Sequence, residues 1–385
     1  MTLNSLDILQ HLVAFPTVSR DTNLPLIDWI RNYLADLRIH SHLVGDPSGS
    51  KSNLFASIGP AEAGGLVLSG HTDVVPVDGQ RWSSDPFRLN ARGSRLYGRG
   101  ACDMKGFIAA VLTRVPLWKE ANLRRPVHLM FSYNEEVGCL GVSSMIAAAR
   151  QKLPHPAAVI IGEPTGMRLA TAHKGLCALR TTVTGIEAHS SLTHQGVSAV
   201  MLAAELVTHL EQLSRRIASR AGSGVPGFEP PHTTLSVNRI AGGTATNILA
   251  AQCEFMWDIR AVPGETARPI LDALSGYADQ RLAELSSEGK TCRISTEVMA
   301  DSPPLKAEER GVAEAWVRAA VDTHERAICV PFGTEGGHFQ QAGWSTVVCG
   351  PGSIEQAHKP DEFIDGSELL ACEAFLDRVV RQLLV

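Results

Sequence analysis

Two periodicities divide the chain. Apolar residues recur at helical spacing over Leu6 to Ala14 and again over Pro25 to Leu37, the second stretch following Asn23. Three shorter runs read differently. Leu66-Val67-Leu68, Val127 to Phe131 and Ala157 to Ile161 are almost continuously apolar, and each ends in polar residues. Such runs predict strands buried on both faces, hence a mostly parallel sheet covered by helices. Gly106 to Trp118 predicts one covering helix between the first two runs.

From about Gly175 the pattern changes. Ala178 to Thr184, Thr234 to Ile240, Cys253 to Ile259 and Cys292 to Met299 read as strands, and Val197 to Ala218 and Pro269 to Leu285 as helices. The order β-α-β-β-α-β predicts a small antiparallel sheet with two helices. After Ser302-Pro303-Pro304 the first pattern resumes, with a helix from Glu308 to Val321, a buried run at Thr346 to Cys349 and a closing helix from Leu369 to Leu384. The predicted class is α/β. A mostly parallel-sheet domain, residues 1–175 plus 300–385, is interrupted by an inserted α+β domain, residues 176–299.

The 385 residues leave room for two domains, and 44% hydrophobic residues supply ample core. A net charge of −5 without a Lys/Arg cluster argues against a nucleic-acid partner. No apolar run approaches the ~18 residues that span a bilayer, so no membrane partner is expected. The first residues lack the pattern of a signal peptide. Eight scattered cysteines without a CxxC pair read as reduced thiols, which predicts a cytoplasmic protein.

The acidic and histidine residues add chemistry to this frame. His71 with Asp73, Glu135 with Glu136, and Glu163 each follow a strand-like run, at the carboxyl ends where open α/β sheets bind ligands. Asp103 lies in a glycine-rich loop just before the Gly106 helix, and His358 follows a fourth apolar run. Singly, each residue suits a solvated turn or a helix cap. Solvated turns have no reason to share one sheet edge. Carboxylates plus imidazoles, without thiolates, suit zinc, cobalt or manganese in a hydrolytic site. Asp103, Glu136 and Glu163, two divalent ions and one bridging hydroxide sum to neutrality, and that hydroxide would be the nucleophile. Of the adjacent Glu135 and Glu136, one would face metal and the other would act as base; spacing alone does not assign them. Asp73, two residues after His71, is placed to orient the imidazole.

On HTDVVPVDGQ from His71, GRGACDMKG from Gly98, YNEEVG from Tyr133, GEPT from Gly162, AHSS from Ala188 and VCGPGSIEQAHKPDEF from Val348, the chain resembles the M20 metallopeptidase family. The resemblance implies a two-zinc catalytic domain, with cobalt as an alternative, and an inserted domain that acts as lid and dimerises. It implies that His71 and Glu163 bind one metal, that Glu136 and His358 bind the other, and that Asp103 bridges them ahead of a cis peptide bond. Glu135 would be the general base. His189 would stabilise the oxyanion, and Arg260 and Asn247 would hold the substrate carboxylate. The implied activity is hydrolysis of an N-acyl amino acid, first N2-acetyl-L-ornithine, with N-succinyl-diaminopimelate or a dipeptide as alternatives, in a homodimer. Thr193, Leu249-Ala250 and Gly336-Gly337-His338 depart from the pattern near the expected substrate pocket.

Overall fold

The apolar runs form the centre of an eight-stranded sheet. The computed structural model describes residues 3–220, 224–321 and 325–384. It divides into two compact units: Met1–Ala172 with Leu305–Cys329 and Thr334–Val385, and His173–Pro304 with Val330–Gly333.

In the first unit the sheet order is Ser41–Gly45, Ser52–Ile58, Val127–Ser132, Leu66–His71, Ala158–Ile161, Thr346–Val348, Ala170–His173 and Ile328–Val330. The four strands from Val127–Ser132 to Thr346–Val348 run parallel, while Ser52–Ile58 joins antiparallel. Leu66–His71, Val127–Ser132 and Ala158–Ile161 are buried at every position, which is why they read as unbroken apolar runs. The helix Lys105–Glu120 is itself a core element, with Phe107, Ile108, Val111, Leu112 and Val115 fully buried. It packs against the helices Ser5–Val13 and Gly366–Val380. A separate three-stranded sheet of Phe363–Asp365, Arg95–Tyr97 and Asn90–Arg92 ties the segment before Gly98 to the segment after Glu362.

Several elements differ from the sequence reading. Ser41–Gly45, Ser52–Ile58 and the helix Val142–Lys152 carry too many polar residues to stand out as apolar runs. Asn53 is nevertheless fully buried, because its amide donates to Gly141 O and accepts from Tyr133 N. The predicted helix from Glu308 begins instead at Val312. Arg310 has a φ of 69°, outside the helical region, and Glu308 turns its carboxylate to Ser345 Oγ and Thr346 N.

The second unit is a four-stranded antiparallel sheet in the order Thr234–Gly242, Gln252–Arg260, Leu176–Thr184, Arg293–Ser302. With the helices Ala199–Ser219 and Arg268–Ser287 it has the expected β-α-β-β-α-β order. Gln252–Arg260 alternates strictly between buried and part-exposed positions, so one face, with Phe255, Trp257 and Ile259, packs beneath the helices. Ser198 caps the first helix through Met201 N. No helix among the described residues is long and apolar enough to cross a membrane.

Candidate metal centre

Four titratable groups of the cluster leave the sheet at or just past a strand end, while Asp103 and His358 come from loops. His71 is the last residue of Leu66–His71, Glu163 lies two residues past Ala158–Ile161, and the Glu135–Glu136 pair follows Val127–Ser132. Parallel pairing aligns these strands, with His71 opposite Ser132 and Ser69 opposite Ile161, so their carboxyl ends open on one edge.

Asp103 occupies the middle. It is 5% exposed, and the peptide bond to Met104 is cis. One carboxylate oxygen, Oδ1, lies 3.0 Å from His71 Nε2, and the other, Oδ2, lies 3.3 Å from His358 Nε2. Glu163 Oε1 flanks His71 Nε2 at 3.8 Å, and Glu136 Oε2 flanks His358 Nε2 at 3.0 Å. Ligand atoms of His71, Asp103 and Glu136 fall within 4.8 Å of one another, as do those of His71, Glu135 and Glu163. The structure therefore gathers His71, Asp103, Glu135, Glu136, Glu163 and His358 around one carboxylate that divides its oxygens between two imidazoles.

Asp73 meets the cluster through both its main chain and its side chain. Its backbone carbonyl, not its carboxylate, accepts from His71 Nδ1 at 2.9 Å. A carbonyl can only accept, so Nδ1 carries a proton, which fixes the ring with Nε2 facing Asp103. The Asp73 carboxylate instead receives the backbone N–H groups of Glu135 at 3.0 Å and Glu136 at 3.3 Å, and the Ser19 hydroxyl at 2.6 Å. One residue orients the imidazole with its main chain and pins the Glu pair with its side chain.

Charge explains the state of the cluster. Burial, reinforced by neighbouring carboxylates, pushes Glu135 and Glu163 well above the usual carboxylate range and Glu136 up to about 7. Hydrogen bonds to Asp103 and Glu136 lift His358 to about 10. Burial opposes the charge on His71 and favours the neutral Asp103 acid; the surrounding carboxylates still raise His71, and the two imidazoles still hold Asp103 low. Glu335, 1% exposed and missed by the sequence reading, adds a further carboxyl that burial pushes up to about 7. Its only sequence signal was an acid ahead of a glycine pair. No lysine or arginine forms an ion pair with these carboxylates among the described residues. Such an excess of buried negative charge, presented by oxygens and imidazole nitrogens, fits divalent cations.

The remaining sequence candidates lie in the second unit. His189 is exposed, and its Nδ1 accepts from Ser191 N at 3.2 Å, with Ser191 Oγ at 2.8 Å. It forms a bridge with Ile248, and Ser190 N donates to Asn247 O at 2.9 Å, so the fold brings Asn247 beside it. Arg260 ends Gln252–Arg260, its Nε held by Asp258 Oδ2 at 3.0 Å.

Comparison with known proteins gives the family and the fold. The sequence model of peptidase family M20/M25/M40 matches residues 67–382. An acetylornithine deacetylase from Proteus mirabilis is 35% identical over 369 residues, covering 94% of this chain and 92% of the relative. One from Edwardsiella ictaluri is 33% identical over 381 residues, covering 97% and 96%. Among solved structures, an M20 family metallo-carboxypeptidase from Sulfolobus solfataricus superposes with a TM-score of 0.77 at 19% identity, covering 98% of each chain. A Bacillus subtilis protein described as a dinuclear metal binding peptidase superposes with a TM-score of 0.67 at 15% identity, covering 98% and 97%.

Proposed function

Because the chain belongs to peptidase family M20/M25/M40 and is a metal-dependent hydrolase, we propose that it cleaves N2-acetyl-L-ornithine to L-ornithine and acetate in arginine biosynthesis. The observation that carries the chemistry is Asp103, whose two oxygens face two imidazoles, each with a second carboxylate beside it. The substrate rests on the two relatives at 35% and 33% identity that bear this activity in their names.

In this reading His71 and Glu163 would hold one cation and Glu136 and His358 a second, with Asp103 shared by both. Oxygen and imidazole ligands suit zinc, with cobalt as a substitute. Bound there, two such cations would supply Lewis-acid polarisation of an amide carbonyl and a lowered pKa for water. The protein's part is proton traffic and orientation. Glu136 is engaged by His358, whereas Glu135 Oε1 accepts from the Cys139 thiol at 3.4 Å and forms no ion pair within 4.0 Å among the described residues. Glu135 is therefore free to take a proton from the attacking water and deliver it to the departing α-nitrogen. With Nδ1 of His189 accepting from Ser191, its proton sits on Nε2, where it can donate to the developing oxyanion. Arg260 keeps its terminal nitrogens for the α-carboxylate, as a planar fork suits two oxygens, with Asn247 as a further donor. The enzyme works as a cytoplasmic homodimer, and its eight cysteines, none in a disulfide, are consistent with a reducing compartment.

Glu135→Gln tests the assignment. Zinc content should stay at the parental level while kcat on N2-acetyl-L-ornithine falls about 10²- to 10⁴-fold, the usual contribution of a general base. Near-parental turnover would overturn the role of Glu135. Faster hydrolysis of another N-acyl amino acid or a dipeptide by the parent would overturn the substrate.

A further inference from the structure

Gln80, Arg99 and Glu362 place no atom among the clustered imidazoles and carboxylates, yet they join the two loops that carry Asp103 and His358. Arg99 is 1% exposed, as is Glu362. Its Nη1 donates to Glu362 Oε2 at 2.7 Å and to Lys359 O at 3.3 Å, and its Nη2 to Gln80 Oε1 at 2.5 Å. The guanidinium lies 5.0 Å from the Trp82 ring, and Trp82 Nε1 donates to the same Gln80 oxygen. Glu362 spends its other oxygen, Oε1, on the backbone N–H of Cys102 at 2.9 Å and of Asp103 at 3.1 Å. Gln80 Nε2 donates to His358 O at 2.9 Å.

We propose that Arg99, Gln80 and Glu362 form a brace of positioning residues that holds His358 in register with Asp103, and so builds the half of the centre made by Glu136 and His358. The inference rests on the ligand assignment proposed above.

The two halves are supported unequally. His71 and Glu163 are anchored by buried parallel strands. His358 sits on a loop, with its side chain 52% exposed and its φ at 63°, a left-handed conformation that a histidine seldom adopts. Its carbonyl is fixed by Gln80, and the next carbonyl, of Lys359, by Arg99. Through Glu362 the same guanidinium reaches the N–H of Asp103, the residue that faces both imidazoles. A fully buried ion pair adds little to stability over apolar packing, because desolvation offsets its attraction. Its value here is geometric. A planar fork reaching three acceptors on two loops fixes their separation, which a single ammonium does not do.

Zinc titration of the metal-free protein by calorimetry tests this, on the parent, Arg99→Lys and Gln80→Ala. Arg99→Lys keeps the charge but loses the fork. Gln80→Ala alters a part-exposed side chain and so keeps the test open should the buried substitution misfold. In the parent two equivalents should bind. In each folded variant one equivalent should weaken by about 10- to 100-fold, the range for residues that orient ligands, while the other stays unchanged. The visible spectrum of the cobalt-loaded protein should change for that same equivalent alone. Undiminished binding of both equivalents, or equal weakening of both, would overturn the brace while leaving the proposed function intact. A parent that binds no zinc would overturn the ligand assignment and the brace with it.

Discussion

At the scale of single residues, the centre depends on groups that occupy little space as much as on its ligands. Glu163 is delivered by Gly162, whose N–H donates to Ser69 O at 3.0 Å. A Cβ built on Gly162 would lie 2.0 Å from the ring of Phe107, a fully buried residue of the core helix, and a Cβ on Gly350 would lie 2.0 Å from Gly162 O. The backbone thus passes between a fixed ring and a neighbouring main chain at the point where a ligand must be presented. Gly162→Ala should destabilise the first unit by about 1–3 kcal/mol, as overpacking of a rigid core does. Denaturant unfolding measures this, and an unchanged midpoint would show that Phe107 yields freely. The same scale shows what a linear reading misses. The spacing of His71 and Asp73 suggests that the two residues pair, yet which part of Asp73 meets the imidazole is set by the chain's path, and the carboxylate receives the N–H groups of the Glu pair.

At the scale of elements, the central strands carry a polar group that will respond to pH. His128 lies on the fully buried strand Val127–Ser132, with its Nδ1 2.6 Å from Ser57 Oγ of the adjacent strand. Burial pushes its pKa down to about 4. The unfolded chain, near 6.5, binds this proton first as pH falls, so folding stability declines between pH 6.5 and 4 and is unaffected by His128 below that. Between pH 7 and pH 5 the loss from this one group is about 2 kcal/mol. Unfolding curves at the two pH values should show a steeper drop for the parent than for His128→Gln, and parallel drops would refute the assignment. Elements with continuous apolar runs were legible in the chain. Ser52–Ile58 was not, because its buried Asn53 and half-buried Ser57 look solvated until their partners on other segments are known.

At the scale of the whole molecule, the proposed dimer makes a direct prediction. The strand Thr234–Gly242 is an edge of the second unit's sheet, exposed over most of its length, with Ile240 50% exposed. An open, partly apolar edge is a template for pairing, which supports association through this unit. Sedimentation equilibrium should find a species of twice the 41.3 kDa chain mass at assay concentrations. A fully active monomer would refute the proposal.

Hydrophobic periodicity determined the fold class and the β-α-β-β-α-β order of the second unit, because burial on both faces of a strand, or on one, leaves a signature a few residues long. Residue type, placed at the ends of those strands, determined that the chemistry would be that of carboxylates and imidazoles. Tertiary structure alone decided that Asp103 divides its oxygens between His71 and His358, that Glu335 joins the buried acids, and that Arg99 and Glu362 link the two loops. Those contacts join residues from tens to hundreds of positions apart, and their distances are set by packing in three dimensions, which local patterning does not encode.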